Sequence, residues 1–276
     1  MATLRPVEVR SVSVGDMVVQ VSGEGPALIC VHGFTTTSEF WREQVEEFSQ
    51  DHMLIRPNLP GHGVSTHPQD RDYTIEAFAR DIEKVFRHFR IDRAVLVGLS
   101  MGGTIAQRFT LDNPGALDGL VLVGATPHGL GPDVNADNVL RAIDKVGIAQ
   151  SSQDVIERSF ASVSPRALVE FAKQEVIQTP DFVARAAIQS LNAADSRPWL
   201  ASIDVPTLVV VGENDIITPP AESRQLASGI PSAELCIVER AGHFPMLEQP
   251  AVFNPALRGF LSKLRREQSA LQRNLA

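Results

Sequence analysis

The chain has 276 residues, 43% of them hydrophobic and 21% charged, which is the composition of an ordinary globular protein with enough length for a sizeable core. Its formal net charge of −8 disfavours nucleic acid and anionic membrane surfaces as partners, because both would repel it. No apolar stretch reaches the roughly 20 residues needed to cross a bilayer, and positions 1–20 lack the unbroken apolar run of a signal peptide, so no membrane partner and a cytoplasmic location are expected. Cys30 and Cys236 fall in predicted buried strands and read as small core residues, and no cofactor or metal is implied.

In chain order, Val7 to Val21 carries alternating apolar positions broken by Gly15-Asp16, the pattern of an antiparallel hairpin. Ala27 to Val31 predicts a buried strand that runs into His32-Gly33-Phe34-Thr35, and Met53 to Arg56 predicts another that leads into Asn58-Leu59-Pro60-Gly61-His62-Gly63. Between Thr74 and Arg90, the apolar residues Ile75, Phe78, Ala79, Ile82, Val85, Phe86 and Phe89 paint one face of a long helix. Arg93 to Val97 is a short strand, Thr104 to Leu111 a helix, and Leu120 to Val123 the next buried strand.

From Thr126 to about Ser202 the periodicity is helical without an intervening strand, and Gly147, Ser164-Pro165 and Pro180-Asp181 divide it into several short helices. One face is predicted to carry Val139, Leu140, Ile143 and Val146, others Leu168, Phe171, Ala172 and Val176, and Val183, Ala187, Ile188 and Leu191. Strands resume at Thr207 to Val211 and Leu235 to Val238, followed by an amphipathic helix over Ala251 to Leu264 and a polar, frayed tail from Arg265 to Ala276.

Three positions carry chemistry. Gly98-Leu99-Ser100-Met101-Gly102 puts a serine between glycines where a strand gives way to a helix, a sharp turn that strains the serine backbone and exposes Oγ. Val209-Val210-Val211-Gly212-Glu213-Asn214-Asp215 ends an apolar strand in a glycine and two candidate carboxylates, and Ala241-Gly242-His243-Phe244-Pro245 follows the last strand. Serine, acid, histidine in that order, with the His32-Gly33-Phe34 loop upstream, resembles the α/β-hydrolase family over about Val12 to Leu264. The resemblance implies a mostly parallel central sheet flanked by helices, with a helical cap inserted after the sixth strand. On that basis 1–126 and 203–276 form the two parts of the hydrolase core, and 127–202 the cap.

The roles implied are Ser100 as nucleophile, His243 as base and Asp215 as the carboxylate that fixes the base's tautomer. Glu213 competes for the last role. The family pattern favours Asp215, since Ala125-Thr126-Pro127-His128 offers no carboxylate at the family's alternative position. The backbone N–H groups of Phe34 and Met101 are the oxyanion-hole candidates, and their side chains, with Phe244, Phe160 and Phe171, are expected to contact substrate. Phe182 and Trp199 add to an apolar cap lining. His32 and His62 belong to structural turns, and His52, His67 and His88 are expected at the surface; His128 has no assigned role. Asn58 stands where the family turn opens with aspartate.

Serine at position 100 disfavours the epoxide hydrolase and haloalkane dehalogenase branches, which attack through a carboxylate, and Tyr73 is the only tyrosine. The runs from Gly98 to Gln107 and from Gly242 to Pro250 are most similar to 3-oxoadipate enol-lactonases and small carboxylesterases, which implies a small-molecule ester or lactone substrate and a monomer or homodimer. A C–C bond hydrolase of ring-cleavage products shares the Ser-Met-Gly-Gly turn, although Phe244 stands where such enzymes are expected to carry tryptophan. A perhydrolase or haloperoxidase side activity, and a ligand-binding signalling receptor of the same fold, stay open. No Lys or Arg occurs in the three loops, which favours a neutral ester; Arg141, Arg158, Arg166, Arg185 or Arg197 of the cap could still clamp a carboxylate.

Overall fold

A computed structural model describes residues 7–275, with side chains described for 7–270; positions 1–6 and Ala276 of the predicted segments lie outside the described residues. Eight strands make one sheet: β1 (Val9–Val14), β2 (Met17–Ser22), β3 (Ala27–Val31), β4 (Met53–Asn58), β5 (Ala94–Leu99), β6 (Leu117–Val123), β7 (Thr207–Gly212) and β8 (Ala233–Val238). Their order is β1-β2-β4-β3-β5-β6-β7-β8. The predicted hairpin is β1 and β2, antiparallel with Val14 opposite Met17, and β2 pairs antiparallel with β4. From β4 to β8 the strands are parallel.

Successive strand side chains point to opposite faces, and here both faces are apolar. Ile29, Leu96 and Leu122 join one buried cluster, whereas Leu28, Val97 and Val121 join a second on the other side. Helices cover each. On the first face lie α2 (Ile75–Phe89), whose start is capped by Thr74 accepting from the Ala77 N–H at 3.1 Å, and α3 (Met101–Asp112). Phe86 of α2 stacks on Phe109 of α3 with ring centroids 5.0 Å apart. A short helix α1 (Val45–Phe48) follows a 3-10 turn over Ser38–Gln44.

Between β6 and β7 the described chain forms helices and no strand: α4 (Ala136–Ser159), α5 (Arg166–Glu175), a 3-10 turn at Val176–Gln178, α6 (Asp181–Ala193) and a 3-10 turn at Arg197–Ser202. α4 is broken at Gly147, whose φ of 78° is left-handed and stops the helical hydrogen-bond ladder. Asp181 Oδ1 accepts the freed Ile148 N–H at 2.9 Å and so caps the second half. The break turns Val146 outward, 50% exposed, in place of the buried face its spacing predicts.

After β7 come α7 (Pro220–Gly229), α8 (Pro245–Glu248) and α9 (Pro250–Leu275). Phe253, Leu257, Phe260, Leu261 and Leu264 of α9 are buried on the second face, each worth about 1.5–3 kcal/mol of apolar transfer. The helix does not stop at Leu264 but continues through the polar tail to Leu275. That continuation corrects the expectation for His52. It is buried, 3% exposed, because Arg265 Nη2 donates to its Nε2 at 2.8 Å while its Nδ1 bonds Asp51 Oδ1 at 2.8 Å. His67 and His88 are exposed as predicted. Cys30 is buried, Cys236 half-buried, and both thiols are free, with burial pushing their pKa values up. Among the described residues, no helix is long and apolar enough to cross a membrane.

Candidate active site

β3 connects outward to β4, whereas β5 lies on the other side of β3, so the strand order reverses between β3 and β5. In open parallel sheets such a reversal opens a crevice at the C-terminal strand ends. His32-Gly33-Phe34 leaves β3 there and Ser100 leaves β5. The two loops touch, since a Cβ added to Gly33 would lie 3.2 Å from Ser100 Cβ.

Ser100 has φ 52° and ψ −117°, a sparsely populated conformation that costs an L-residue about 1–3 kcal/mol. Its surroundings hold it there. The Ser100 N–H donates to the Val123 carbonyl at 2.8 Å, extending the β5–β6 pairing by one residue, and α3 starts at the next position. The turn requires glycines on both sides. A Cβ on Gly98 would sit 2.2 Å from the Gly102 carbonyl oxygen, and one on Gly102 would sit 2.5 Å from those of Val31 and His32. Met101, fully buried, begins α3, so its N–H lies at the positive end of the helix dipole.

The facing loop is folded by Gly33 and Thr36, with the Gly33 N–H donating to Thr36 Oγ1 at 2.8 Å and the Thr36 N–H to the Gly33 carbonyl at 3.3 Å. His32 supports it from below, its Nε2 accepting from the Leu59 N–H at 2.9 Å and its Nδ1 bonding the Gly33 carbonyl at 2.9 Å. His62 lies beside it, ring centroids 5.0 Å apart and the rings tilted by 51°. The turn that begins at Asn58 is structural. Asn58 Oδ1 accepts from the Ser38 N–H at 2.9 Å, and Ser65 Oγ donates to the Asn58 carbonyl at 2.7 Å.

Burial lowers the pKa of both of these histidines. That of His32 falls well below 6.5, helped by repulsion from His62 and opposed by its bond to the Gly33 carbonyl, and that of His62 falls to about 4 against its bond to the Pro60 carbonyl. An unfolded chain would protonate near 6.5, so between that value and about 4 it binds a proton that folded His62 refuses. Stability is therefore complete above pH 6.5 and falls as pH drops toward 4, by on the order of 3 kcal/mol from His62 alone. Urea unfolding of the wild type and of His62→Gln at pH 7 and 4.5 checks this. The variant should lose less stability on acidification, and equal losses would contradict it.

The acid and the histidine meet. His243 Nδ1 lies 2.8 Å from Asp215 Oδ2, with His243 4% and Asp215 3% exposed. Asp215 Oδ1 accepts the Ile217 and Thr218 N–H groups, both at 2.9 Å, and Thr218 Oγ1 donates to Asp215 Oδ2 at 2.8 Å while lying 2.9 Å from the Gly124 carbonyl. Thr218 was not among the sequence candidates. Glu213, the competing carboxylate, is exposed, and its Oε2 accepts from the Arg240 N–H at 3.4 Å. His128 Nε2 lies 2.7 Å from Glu222 Oε2.

The expected contact residues divide. Phe34 is half-buried and packs against the cluster of Ile143, Ile148 and Ala184 in the inserted helices, on which Val139 also packs. Phe244 and Phe160 are buried in an aromatic cluster with Phe40, in which Phe244 lies 5.0 Å from Phe40 and from Phe160, and 5.1 Å from the His243 ring, the rings meeting edge-on or tilted. Both rings thus buttress the histidine loop. Phe171 is half-buried under the Arg42 guanidinium, 3.8 Å above its ring, and Phe182 packs on Tyr73 at 5.8 Å. Trp199, expected in the cap lining, is instead 58% exposed.

Comparison with known proteins agrees with this architecture. The chain is 29% identical to the pimeloyl-acyl-carrier-protein methyl ester esterase of Vibrio atlanticus, over 88% of this chain and 97% of the relative. It is 27% identical to 3-oxoadipate enol-lactonase 2 of Acinetobacter baylyi, over 86% and 89%. A thermophilic esterase from Thermogutta terrifontis superposes with a TM-score of 0.84 at 28% identity, covering 93% of this chain and 99% of the other. The family model described as the alpha/beta hydrolase fold matches residues 26–250, most of the chain, and the protein therefore belongs to the α/β-hydrolase fold family.

Proposed function

We propose that the protein is a serine hydrolase that cleaves a carboxylic ester or lactone of a small, moderately apolar substrate. The observation that carries this is the buried His243–Asp215 pair at 2.8 Å, at the same end of the sheet as the strained Ser100 turn. With Nδ1 turned to the carboxylate, Nε2 is left as the atom that takes the serine proton. Ser100 Oγ attacks the carbonyl carbon, His243 accepts the proton, and the oxyanion is held by the N–H groups of Met101 and Phe34, each donor worth about 3–4 kcal/mol. Collapse expels the alkoxide, which takes the proton from His243. Water then attacks the acyl-enzyme with His243 again as base, releasing acid and free Ser100.

In this reading residues 127–202 form the cap over the acyl site, and residues 1–126 and 203–276 the catalytic core. A neutral acyl group is favoured by two features. Phe34 faces apolar cap side chains, and each cap arginine already bonds a neighbour: Arg141 to Asn138, Arg158 to the Asp154 carbonyl, Arg166 to Glu157 and Glu170, Arg185 to Asp144 and Arg197 to Asp195. The esterase and lactonase relatives support the reaction class.

A fluorophosphonate probe tests it. The probe is expected to modify Ser100 stoichiometrically, located by peptide mass spectrometry, and to abolish turnover in a screen where neutral esters and lactones outrun acidic ones. Well-folded protein left unmodified at Ser100 would sink the proposal.

A further inference from the structure

Glu248, the last residue of α8, is a buried carboxylate, 9% exposed, that bonds two separate parts of the molecule. Its Oε1 accepts the Gly242 N–H at 2.9 Å and the Phe244 N–H at 3.0 Å, the two amides flanking His243. Its Oε2 accepts the Ala161 N–H at 2.8 Å and the Ser164 hydroxyl at 2.7 Å, both from the junction between α4 and α5. The His243 amide itself donates to the Ser159 carbonyl at 2.7 Å, at the end of α4. Three consecutive amides are thus held, two by one carboxylate and the middle one by the helix beside it. The approach is tight, because a Cβ on Gly242 would lie 2.3 Å from the Ser159 carbonyl oxygen.

Only an ionised carboxylate offers two acceptor oxygens and no donor, and this site presents four donors to it. A residue serving packing alone would not need that. Taking His243 as the base of the proposed reaction, we infer that Glu248 is a positioning residue: it fixes the backbone on both sides of the imidazole and anchors that backbone to the inserted helices. A shift of about 1 Å between reacting groups can cost 10²-fold in rate, so holding the loop in register is a catalytic requirement as well as a structural one.

Glu248→Gln tests it, since the amide keeps one acceptor oxygen and turns an NH2 toward backbone donors. The variant is expected to lose about 10²-fold in kcat on a p-nitrophenyl ester with KM little changed. In a His243→Ala background the same change should leave the residual rate unaltered, whereas a purely structural role would lower both. Ser164→Ala, which keeps the carboxylate and removes one donor, should lower kcat severalfold in folded protein. Full kcat in folded Glu248→Gln, or equal losses in the two backgrounds, overturns the inference. If Glu248→Gln does not fold, full kcat in Ser164→Ala does so. The two levels separate cleanly, because full activity in His243→Ala would remove the base itself, whereas full activity in Glu248→Gln removes only its support.

Discussion

Ser100→Ala should lower kcat on a p-nitrophenyl ester by about 10⁶ while leaving the thermal midpoint near the wild-type value, measured by steady-state kinetics and circular dichroism. The variant is a clean probe. Alanine carries the same Cβ as serine, so it meets the same cost at φ 52° and ψ −117°, and the Ser100 N–H bond to Val123 is kept. What disappears is the oxygen that forms the acyl intermediate in the proposed reaction. A residual rate above water is expected from the oxyanion donors and binding, on the order of 10³-fold. Loss of less than tenfold would require another nucleophile and would end the serine mechanism.

Asp215→Asn should lower kcat by about 10⁴ through the wrong histidine tautomer. The hydrogen bonds dictate which way the new amide turns. Oδ1 of residue 215 accepts two backbone donors, Ile217 N–H and Thr218 N–H at 2.9 Å, and an NH2 group there would face both of them. The amide oxygen therefore stays on that side, and the NH2 takes the place of Oδ2 opposite His243 Nδ1. It then donates to Nδ1, which leaves the proton on Nε2, and an Nε2–H cannot accept from Ser100. Near wild-type turnover would remove Asp215 from the mechanism. Glu213 offers no substitute, being exposed and bonded to the Arg240 amide.

The sheet was legible in the sequence because each of its central strands is a short apolar run closed by glycine or a polar loop. The hairpin at Gly15-Asp16, the strandless helical stretch from Thr126 to about Ser202 and its breaks at Gly147, Ser164-Pro165 and Pro180-Asp181 follow from local chain chemistry, and the fold has helices and no strand there, interrupted at those positions. What pattern could not supply depends on distant partners. His52 looks solvated beside Asp51, and only the late turns of α9 bring Arg265 over it. Glu248 and Thr218 are isolated polar residues with no periodicity, and their purpose is visible only once Gly242 and Asp215 are beside them. The nearest signal was position, since each lies within a few residues of a candidate catalytic group. The aromatic residues are the converse case. Phe244 reads as a substrate contact because it follows His243, and Phe160 because it lies in the inserted helical stretch, whereas in the fold both rings pack beside the histidine loop.

The interruption of α4 at Gly147 splits one helix into two segments with separate axes. Ile143 before the break and Ile148 just after it join the cluster on which Phe34 packs, while the far end of the helix presents the Ser159 carbonyl to the His243 amide. A continuous rod would transmit any tilt of one end to the other. With a left-handed glycine at the break and Asp181 capping the second segment, residues 136–146 can tilt without carrying Ser159 with them. Replacing side chains between 136 and 146 should therefore disturb the Ser159–His243 hydrogen bond less than replacing those between 148 and 159.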